Sequence, residues 1–196
     1  MKQGVMFVAR CCIFAFLISI ITIAGSGISA FGQSDWTGNV NFFLGAKSLE
    51  DEWEPAEQQT ELGIEVDFRQ QNWPVSIAID LLVAAGEGSI GILDYESRTS
   101  ELNIGVRKIW DKSPHVRPFI GGGISFISGE FEWSTFGISE DDSAMGFWIG
   151  GGVYWALSEH FNLGLELKAS SAEITLFGLD ANAGGGHFGL LIGYHW

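Results

Sequence analysis

The stretch TELGIEVDFRQ, residues 60–70, decides the fold because its side chains alternate in character along its length. Even positions from Leu62 to Phe68 are apolar, and odd positions from Glu61 to Arg69 hold glycine or a charged residue. A period of two is typical of a β-strand whose two faces meet different environments. We therefore predict a strand here.

The same alternation recurs along the chain in eight segments. They cover residues 36–47, 60–70, 74–84, 98–110, 116–127, 143–156, 161–171 and 185–196. The links after the second, fourth and sixth segments are short, and those after the first, third, fifth and seventh are much longer. Short turns at one end and long loops at the other are typical of an up-and-down barrel. We predict an all-β fold, an eight-stranded antiparallel up-and-down transmembrane β-barrel.

The second face of the segments separates this prediction from a soluble barrel, which also alternates apolar and polar residues. On the fifth segment that face carries Arg117, Phe119, Gly121, Gly123 and Ser125, and on the sixth it carries three glycines, a tryptophan and a tyrosine. Small residues suit the crowded interior of a narrow barrel. So few charges do not suit a solvated surface.

The tryptophans are an independent indication of a membrane. Five of them fall at the predicted short-turn end, and those inside segments have the parity of the apolar face: Trp36, Trp73, Trp110, Trp155 and Trp196. Transmembrane barrels carry such aromatic belts at the membrane interfaces. We predict that these five are interfacial.

The composition excludes one class of partner. The chain has 196 residues, 17% of them charged, and a formal net charge of −14. No basic surface is available to displace counterions from phosphates, so we expect no nucleic-acid partner.

The N-terminus has the pattern of a secretory signal peptide. Lys2 and Arg10 precede the apolar run at 11–25, which is too short to span a bilayer, and small residues follow. We predict a signal peptide at 1–32 and a barrel domain at 33–196, with cleavage after Ser29 as the alternative. Both cysteines lie in the predicted signal peptide, so the mature chain is expected to have neither thiol nor disulfide.

The most informative polar feature is a set of charged residues with inward parity. We predict that these acids and bases form a compensated interior charge network: Glu65, Asp67, Asp80, Glu166, Arg69, Arg107, Arg117 and Lys168. Counting residues from the short-turn end places five of them at similar depths: Glu65, Asp80, Arg107, Glu166 and Lys168. An unpaired charge in a packed lumen would cost several kcal/mol, which favours this structural interpretation. The alternative is a polar permeation path.

The long connections are predicted to be acidic loops without Lys or Arg. Their acids are Glu50, Asp51, Glu52, Glu54, Glu57, Glu87, Asp94, Glu96, Glu130, Glu132, Glu140, Asp141, Asp142, Glu173 and Asp180. Divalent cations bridging these carboxylates to lipopolysaccharide are one hypothesis, but a solvated acidic surface is favoured. No EF-hand or zinc-ligand spacing occurs, so we predict no metal site.

Neither the histidines nor the glycine runs indicate an enzyme. His187 begins the last segment, and the spacing of Ser171 and Glu173 does not require a catalytic triad with it. The three GGG runs are not followed by a helix, as a phosphate loop would require. We predict no catalytic residue and no cofactor.

Several features of the chain are similar to one family. They are the signal peptide, the eight segments, the aromatic C-terminus, and the stretches RPFIGGGISF at 117–126 and FWIGGGVYWALSEHFNLGLELK at 147–168. The chain resembles the small outer-membrane β-barrel proteins that include OmpA, OmpX and OmpW-like domains. In that class the barrel-assembly machinery reads alternating apolar or aromatic residues before a terminal aromatic. The matching positions are Phe188, Leu190, Ile192, Tyr194 and Trp196, with Trp in place of the usual final Phe.

The resemblance implies an integral protein of the cell outer membrane with both termini in the periplasm. Its expected partners are outer-membrane lipid, lipopolysaccharide and the barrel-assembly machinery. We expect a non-catalytic structural or surface-interaction role. Passage of small apolar molecules, as implied by the likeness to OmpW-like proteins, is the alternative, and an enzyme acting on outer-leaflet lipid ranks third.

Overall fold

The structure is a computed structural model that describes residues 35–54, 56–90, 93–111, 113 and 115–196. The predicted signal peptide at 1–32 and its cleavage position lie outside the described residues. Within the part of the chain that is described, no helix combines the length and the apolar character of a membrane span.

The described residues form ten strands and one short 3₁₀ helix. The strands are β1 (Trp36–Ser48), β2 (Gln58–Gln70), β3 (Ser76–Ile90), β4 (Leu93–Ile109), β5 (Val116–Trp133), β6 (Ile138–Ala156), β7 (Phe161–Ser171), β8 (Glu173–Leu176), β9 (Leu179–Asn182) and β10 (Gly185–His195). The 3₁₀ helix, Asp51–Trp53, lies between β1 and β2. Each of the eight predicted segments corresponds to a long strand.

Eight strands form a closed barrel in the order β1-β10-β7-β6-β5-β4-β3-β2. Consecutive barrel strands are antiparallel neighbours, and β1 pairs with β10 in a register that places Phe42 opposite Ile192. The eight-stranded antiparallel prediction is confirmed. The remaining two strands, β8 and β9, form a separate hairpin in the segment of the chain that connects β7 to β10.

Two of the predicted long loops are instead continuations of the sheet. The β3–β4 hairpin is paired as far as Ile90 and Leu93, and the β5–β6 hairpin as far as Trp133 and Ile138. The loop prediction was wrong here because these extensions keep the alternation of inward and outward side chains. Their outward side chains are acidic, but on β4 the inward side chains of Tyr95, Ser97 and Thr99 are buried. Charge alone does not end a strand whose inner face is packed.

The barrel wall inverts the usual distribution of polar and apolar residues. Large apolar side chains project from the outer wall, with Phe147 at 73% and Leu167 at 65% exposure, whereas Asp80 and Arg107 inside are at 0%. A water-soluble domain would bury the first pair and expose the second. The outer wall is therefore suited to lipid.

The predicted interfacial tryptophans all occur at the short-turn end of the strands. Trp36 begins β1, Trp73 lies in the β2–β3 turn, Trp110 follows β4, Trp155 is the penultimate residue of β6, and Trp196 follows β10. Their role in a membrane interface stays a prediction.

Candidate functional site

The centre of the lumen contains a buried network of charged side chains, which we call the central network: Glu65, Asp67, Asp80, Arg107, Glu166 and Lys168. Arg107 Nη2 donates to Glu65 at 3.0 Å and to Asp80 at 3.3 Å, and Arg107 Nη1 lies 3.6 Å from Asp67. Arg107 also donates to the Tyr154 hydroxyl at 3.0 Å. One guanidinium thus links strands β2, β3, β4 and β6 across the barrel.

Lys168 supplies the second positive charge of the central network. Its ammonium donates to Glu65 and to Asp80, each at 2.8 Å, and lies 3.6 Å from Glu166. The network therefore holds four carboxyl groups and two cations, so the acids are in excess. Among the described residues neither carboxyl oxygen of Glu166 has a hydrogen-bond partner, and its ion pairs with Arg107 and Lys168 are long, at 3.5 and 3.6 Å. Glu166 is therefore the least well satisfied of the four.

Two members of the predicted network lie elsewhere. Arg69 pairs with Asp111 at 2.5 Å at the short-turn end. Arg117 is half-buried, and its Nε and Nη2 atoms have no hydrogen-bond partner in the part of the chain that the structure describes. Both residues are too close to the short-turn end of their strands to reach the centre. The prediction of four acids balanced by four bases in one network is therefore wrong in its stoichiometry.

A second buried set of side chains lies nearer the hairpin end of the lumen, and we call it the upper network: Lys47, Glu61, Glu101, Ser170 and His187. Lys47 Nζ donates to Glu101 at 2.6 Å and to Thr99 Oγ1 at 3.0 Å. His187 Nδ1 lies 2.9 Å from both carboxyl oxygens of Glu61. The upper network thus brings two carboxyl groups together with one lysine and one histidine.

Three members of the upper network have the connectivity of a catalytic triad. Ser170 Oγ lies 2.9 Å from His187 Nε2, and Glu61 holds the opposite ring nitrogen. However, Ser170 Oγ also donates to Glu101 Oε1 at 3.1 Å, which places a carboxylate where an acyl-transfer site needs oxyanion donors. All three side chains are buried, so the arrangement is suited to a polar network rather than to nucleophilic catalysis.

An apolar cluster, which we call the cap, lies over the upper network. It consists of Leu49, Trp53, Ile127, Ala172, Ile174, Leu176 and Ala183. The cap joins the 3₁₀ helix, the β8–β9 hairpin and the inner face of β5. Lys47 Nζ donates to the Ala183 carbonyl at 2.8 Å, so the upper network and the cap are directly connected.

Side-chain hydrogen bonds hold the β8–β9 hairpin in the cap. Asn182 accepts from the backbone N–H groups of Ala172 and Gly184, each at 3.0 Å, and Trp53 Nε1 donates to the Asn182 carbonyl. On the other side, Asp142 accepts from the Thr175 amide at 2.8 Å. Because of this bond the pKa of Asp142, which lies beyond the apolar wall, is below its usual range.

The outer wall above the apolar belt carries rows of acids on neighbouring strands. Glu87, Glu96 and Glu132 lie side by side on β3, β4 and β5, and Glu130 lies opposite Asp141 on β6. Like charges in direct cross-strand pairs are unfavourable. Among the described residues no group of three or more His, Cys, Asp and Glu side chains could hold a metal ion.

The residues proposed as an assembly signal alternate along β10. Phe188, Leu190 and Ile192 project from the outer wall, and Tyr194 and Trp196 are half-buried at its end. The Trp196 backbone exchanges hydrogen bonds with Gly38, at 3.2 and 3.1 Å. The last residue is thus part of the seam between β10 and β1.

Sequence reasoning missed the whole upper network. Lys47, Glu61 and Glu101 each have the parity of the inner face, so a stricter count of inward positions would have found them. Their meeting could not be predicted, because sequence separations such as the 126 residues between Glu61 and His187 are bridged only by barrel closure.

A closed antiparallel barrel with an apolar outer wall and charges inside defines an integral membrane barrel. The family comparison is in agreement, since residues 14–196 match the model of the outer membrane protein beta-barrel domain. The chain belongs to the outer membrane protein β-barrel family and is an integral outer-membrane protein. A search of the curated proteins found no match.

Solved outer-membrane barrels share the fold at low sequence identity. Neisserial surface protein A has a TM-score of 0.60 and 13% identity, over 83% of this chain and 98% of that one. Ail of Yersinia pestis, the attachment invasion locus protein, solved with the heparin analogue sucrose octasulfate, has a TM-score of 0.56 and 13% identity, over 82% and 98%. A major outer membrane protein of Thermus thermophilus has a TM-score of 0.50 and 12% identity, over 82% and 99%.

Proposed function

We propose that this protein is a closed, non-catalytic outer-membrane barrel whose hairpin end has a surface-interaction role. The observation that carries the proposal is the filling of the lumen, where a central network, an upper network and an apolar cap are stacked along the barrel axis. Such stacking leaves side chains rather than solvent in the lumen of a small barrel.

We propose that the short-turn end and both termini face the periplasm and the hairpin end faces outside. Transmembrane barrels of this type have short periplasmic turns and longer extracellular connections. Outer-membrane lipid would then contact the apolar wall. Lipopolysaccharide phosphates would meet the acidic rows above it, where direct contact requires bridging divalent cations.

The described part of the lumen is not suited to passage of small apolar molecules. An apolar solute would have to displace Arg107 and Lys168 from their carboxylate partners, which lie at 2.8 to 3.4 Å. Catalysis on lipid is similarly disfavoured, because Ser170 faces the lumen rather than the membrane and is buried. The closed-barrel proposal needs neither activity.

Planar-bilayer recordings test whether the lumen is closed. The wild-type barrel is expected to give no stable single-channel conductance. A variant in which residues 173–182 are replaced by a short Gly-Ser linker removes the β8–β9 hairpin, and the central network should still block ions. Steady wild-type conductance would contradict the proposal in favour of a permeation path.

A further inference from the structure

The hairpin end of the barrel exposes apolar side chains that no membrane can cover. Phe136 and Ile138 lie at the β5–β6 turn, and Phe177 and Leu179 lie on the β8–β9 hairpin, where Leu179 is 73% exposed. We call these four residues the apolar tip. On β6 the apolar outer wall ends at Met145, and Ser143 is the next outward residue toward the hairpin end. Ile138 lies five residues further from the bilayer than Ser143. At about 3.3 Å per residue, the tip stands well clear of the bilayer.

One hydrogen bond brings the two halves of the apolar tip to the same place. The backbone N–H of Phe177 donates to the Glu140 carboxylate at 2.6 Å, and Glu140 is two residues from Ile138 on the same strand face. The neighbouring Thr175–Asp142 bond runs in parallel. The β8–β9 turn is therefore fixed against the end of β6 rather than placed there at random.

Phe177 adopts an unfavourable backbone conformation in the turn of the β8–β9 hairpin. Phe177 and Gly178 form the two-residue turn between the paired Leu176 and Leu179, with φ angles of 52° and 75°. Both central residues of such a turn need positive φ, and Asn-Gly is the favoured pair. A bulky residue in the left-handed region is an outlier, and Phe177 is still 46% exposed there. The turn therefore presents an aromatic ring at a position that Asn would occupy at a lower backbone cost.

The charge around the apolar tip restricts what can bind there. Glu140, Asp141, Glu173 and Asp180 lie within a few residues of the four apolar side chains. Arg98, which pairs with Glu96, is the one solvent-accessible basic side chain above the apolar belt among the described residues. A second copy of the barrel, a sulfated glycan and lipopolysaccharide all carry like charge and would be repelled.

We propose that the apolar tip and its acidic rim bind a cationic amphipathic polypeptide segment, with apolar side chains on Phe177 and Leu179 and Lys or Arg on the rim. This inference rests on the proposed surface role of the hairpin end. Exposed apolar groups rimmed by polar residues are typical of protein-binding surfaces. The acids would provide steering and orientation of a basic partner.

Binding of a defined peptide to the purified barrel in phosphatidylcholine nanodiscs tests the proposal. The probe is a fluorescein-labelled peptide of alternating Lys and Leu, compared with a Lys-Ser peptide of equal charge and a Glu-Leu peptide. Empty nanodiscs correct for binding to lipid. We expect the Lys-Leu peptide to bind most tightly, with an affinity that falls as salt is raised.

Two variants test the contribution of the apolar tip, and a third is their control. Phe177→Asn should weaken Lys-Leu binding about tenfold without unfolding the hairpin, because Asn suits the left-handed position. Leu179→Thr should act in the same direction through a residue with an ordinary backbone. Leu157→Thr is the matched control, since it makes the same exchange at an exposed leucine that follows β6 at the opposite, short-turn end, and it should leave affinity unchanged.

Two results would overturn the proposal. One is equal binding of the Lys-Leu peptide by wild type and by both Phe177→Asn and Leu179→Thr. The other is Lys-Ser or Glu-Leu binding as tight as Lys-Leu binding in wild type. The closed-barrel proposal would survive either result, because bilayer conductance tests it separately.

Discussion

At the scale of single residues, the interior charges of this barrel are unequal in importance. Arg107 and Lys168 are the only cations in reach of four buried carboxyl groups within the part of the chain that is described. Removing one partner of a buried ion pair leaves the other without compensation and costs about 3–5 kcal/mol. Removing a surplus acid relieves repulsion instead.

Arg107→Met is therefore expected to destabilise the barrel by about 3–5 kcal/mol, because Glu65 and Asp80 lose a shared partner. Glu166→Gln is expected to be neutral or stabilising, because it lowers the excess of acids and loses only two long ion pairs, at 3.5 and 3.6 Å. Urea unfolding of the two variants in lipid vesicles, followed by tryptophan fluorescence, measures the difference. Equal destabilisation by both variants would contradict the unequal roles.

Parity placed all eight predicted residues on the inner face but did not distinguish the central six from Arg69 and Arg117. Counting residues from the short-turn end grouped five of the six members of the central network at similar depths and left out the sixth, Asp67. Depth follows from the stagger of the strands, which places Arg69 beside Asp111 at the short-turn end instead of beside Asp80.

At the scale of the elements, the seam between β1 and β10 depends on two facing glycines. Gly45 lies opposite Gly189, and the Phe43 ring fills the space that their missing side chains leave in the lumen. A Cβ atom at Gly189 would lie 2.6 Å from Phe43 Cε2 and 2.8 Å from the Leu44 carbonyl. In a closed barrel neither the Phe43 ring nor the Leu44 backbone can move without disturbing the close packing around it.

Gly189→Val should reduce the stability of the barrel by about 1–3 kcal/mol through overpacking at the seam. Gly186→Ala on the same strand is the matched control, because a Cβ there meets nothing within 4 Å. The fraction of each variant that refolds into vesicles, assayed by resistance to protease, measures the effect. Similar refolding of both variants would show that the seam tolerates a side chain.

At the scale of the whole molecule, barrel closure makes the last residue part of the structure. The backbone of Trp196 exchanges hydrogen bonds with Gly38, and the Thr37 hydroxyl donates to the Trp196 carbonyl at 2.6 Å. Trp196 therefore takes part in closing the barrel and is also a member of the proposed assembly signal. Folding and targeting would depend on the same few residues.

Trp196→Asp, or a charged extension after Trp196, is expected to lower the yield of protein in the outer membrane severalfold. Trp196→Phe should preserve the yield, since it keeps a terminal aromatic and the backbone pairing. The readout is the amount of heat-modifiable protein in the outer-membrane fraction, because a folded barrel and its boiled form migrate differently on a gel. Unchanged yield from both charged variants would refute the assembly role.

The sequence by itself determined the architecture, because a period of two with glycine-rich inner positions admits few solutions other than a barrel in a membrane. The strand number and the pairing of the first strand with the last followed from that pattern. Only the tertiary structure decided which side chains meet inside. The Glu61–His187–Ser170 contacts, the cap, and the sheet extensions mistaken for loops all depend on strand stagger and closure, which are long-range properties that no local stretch of residues encodes.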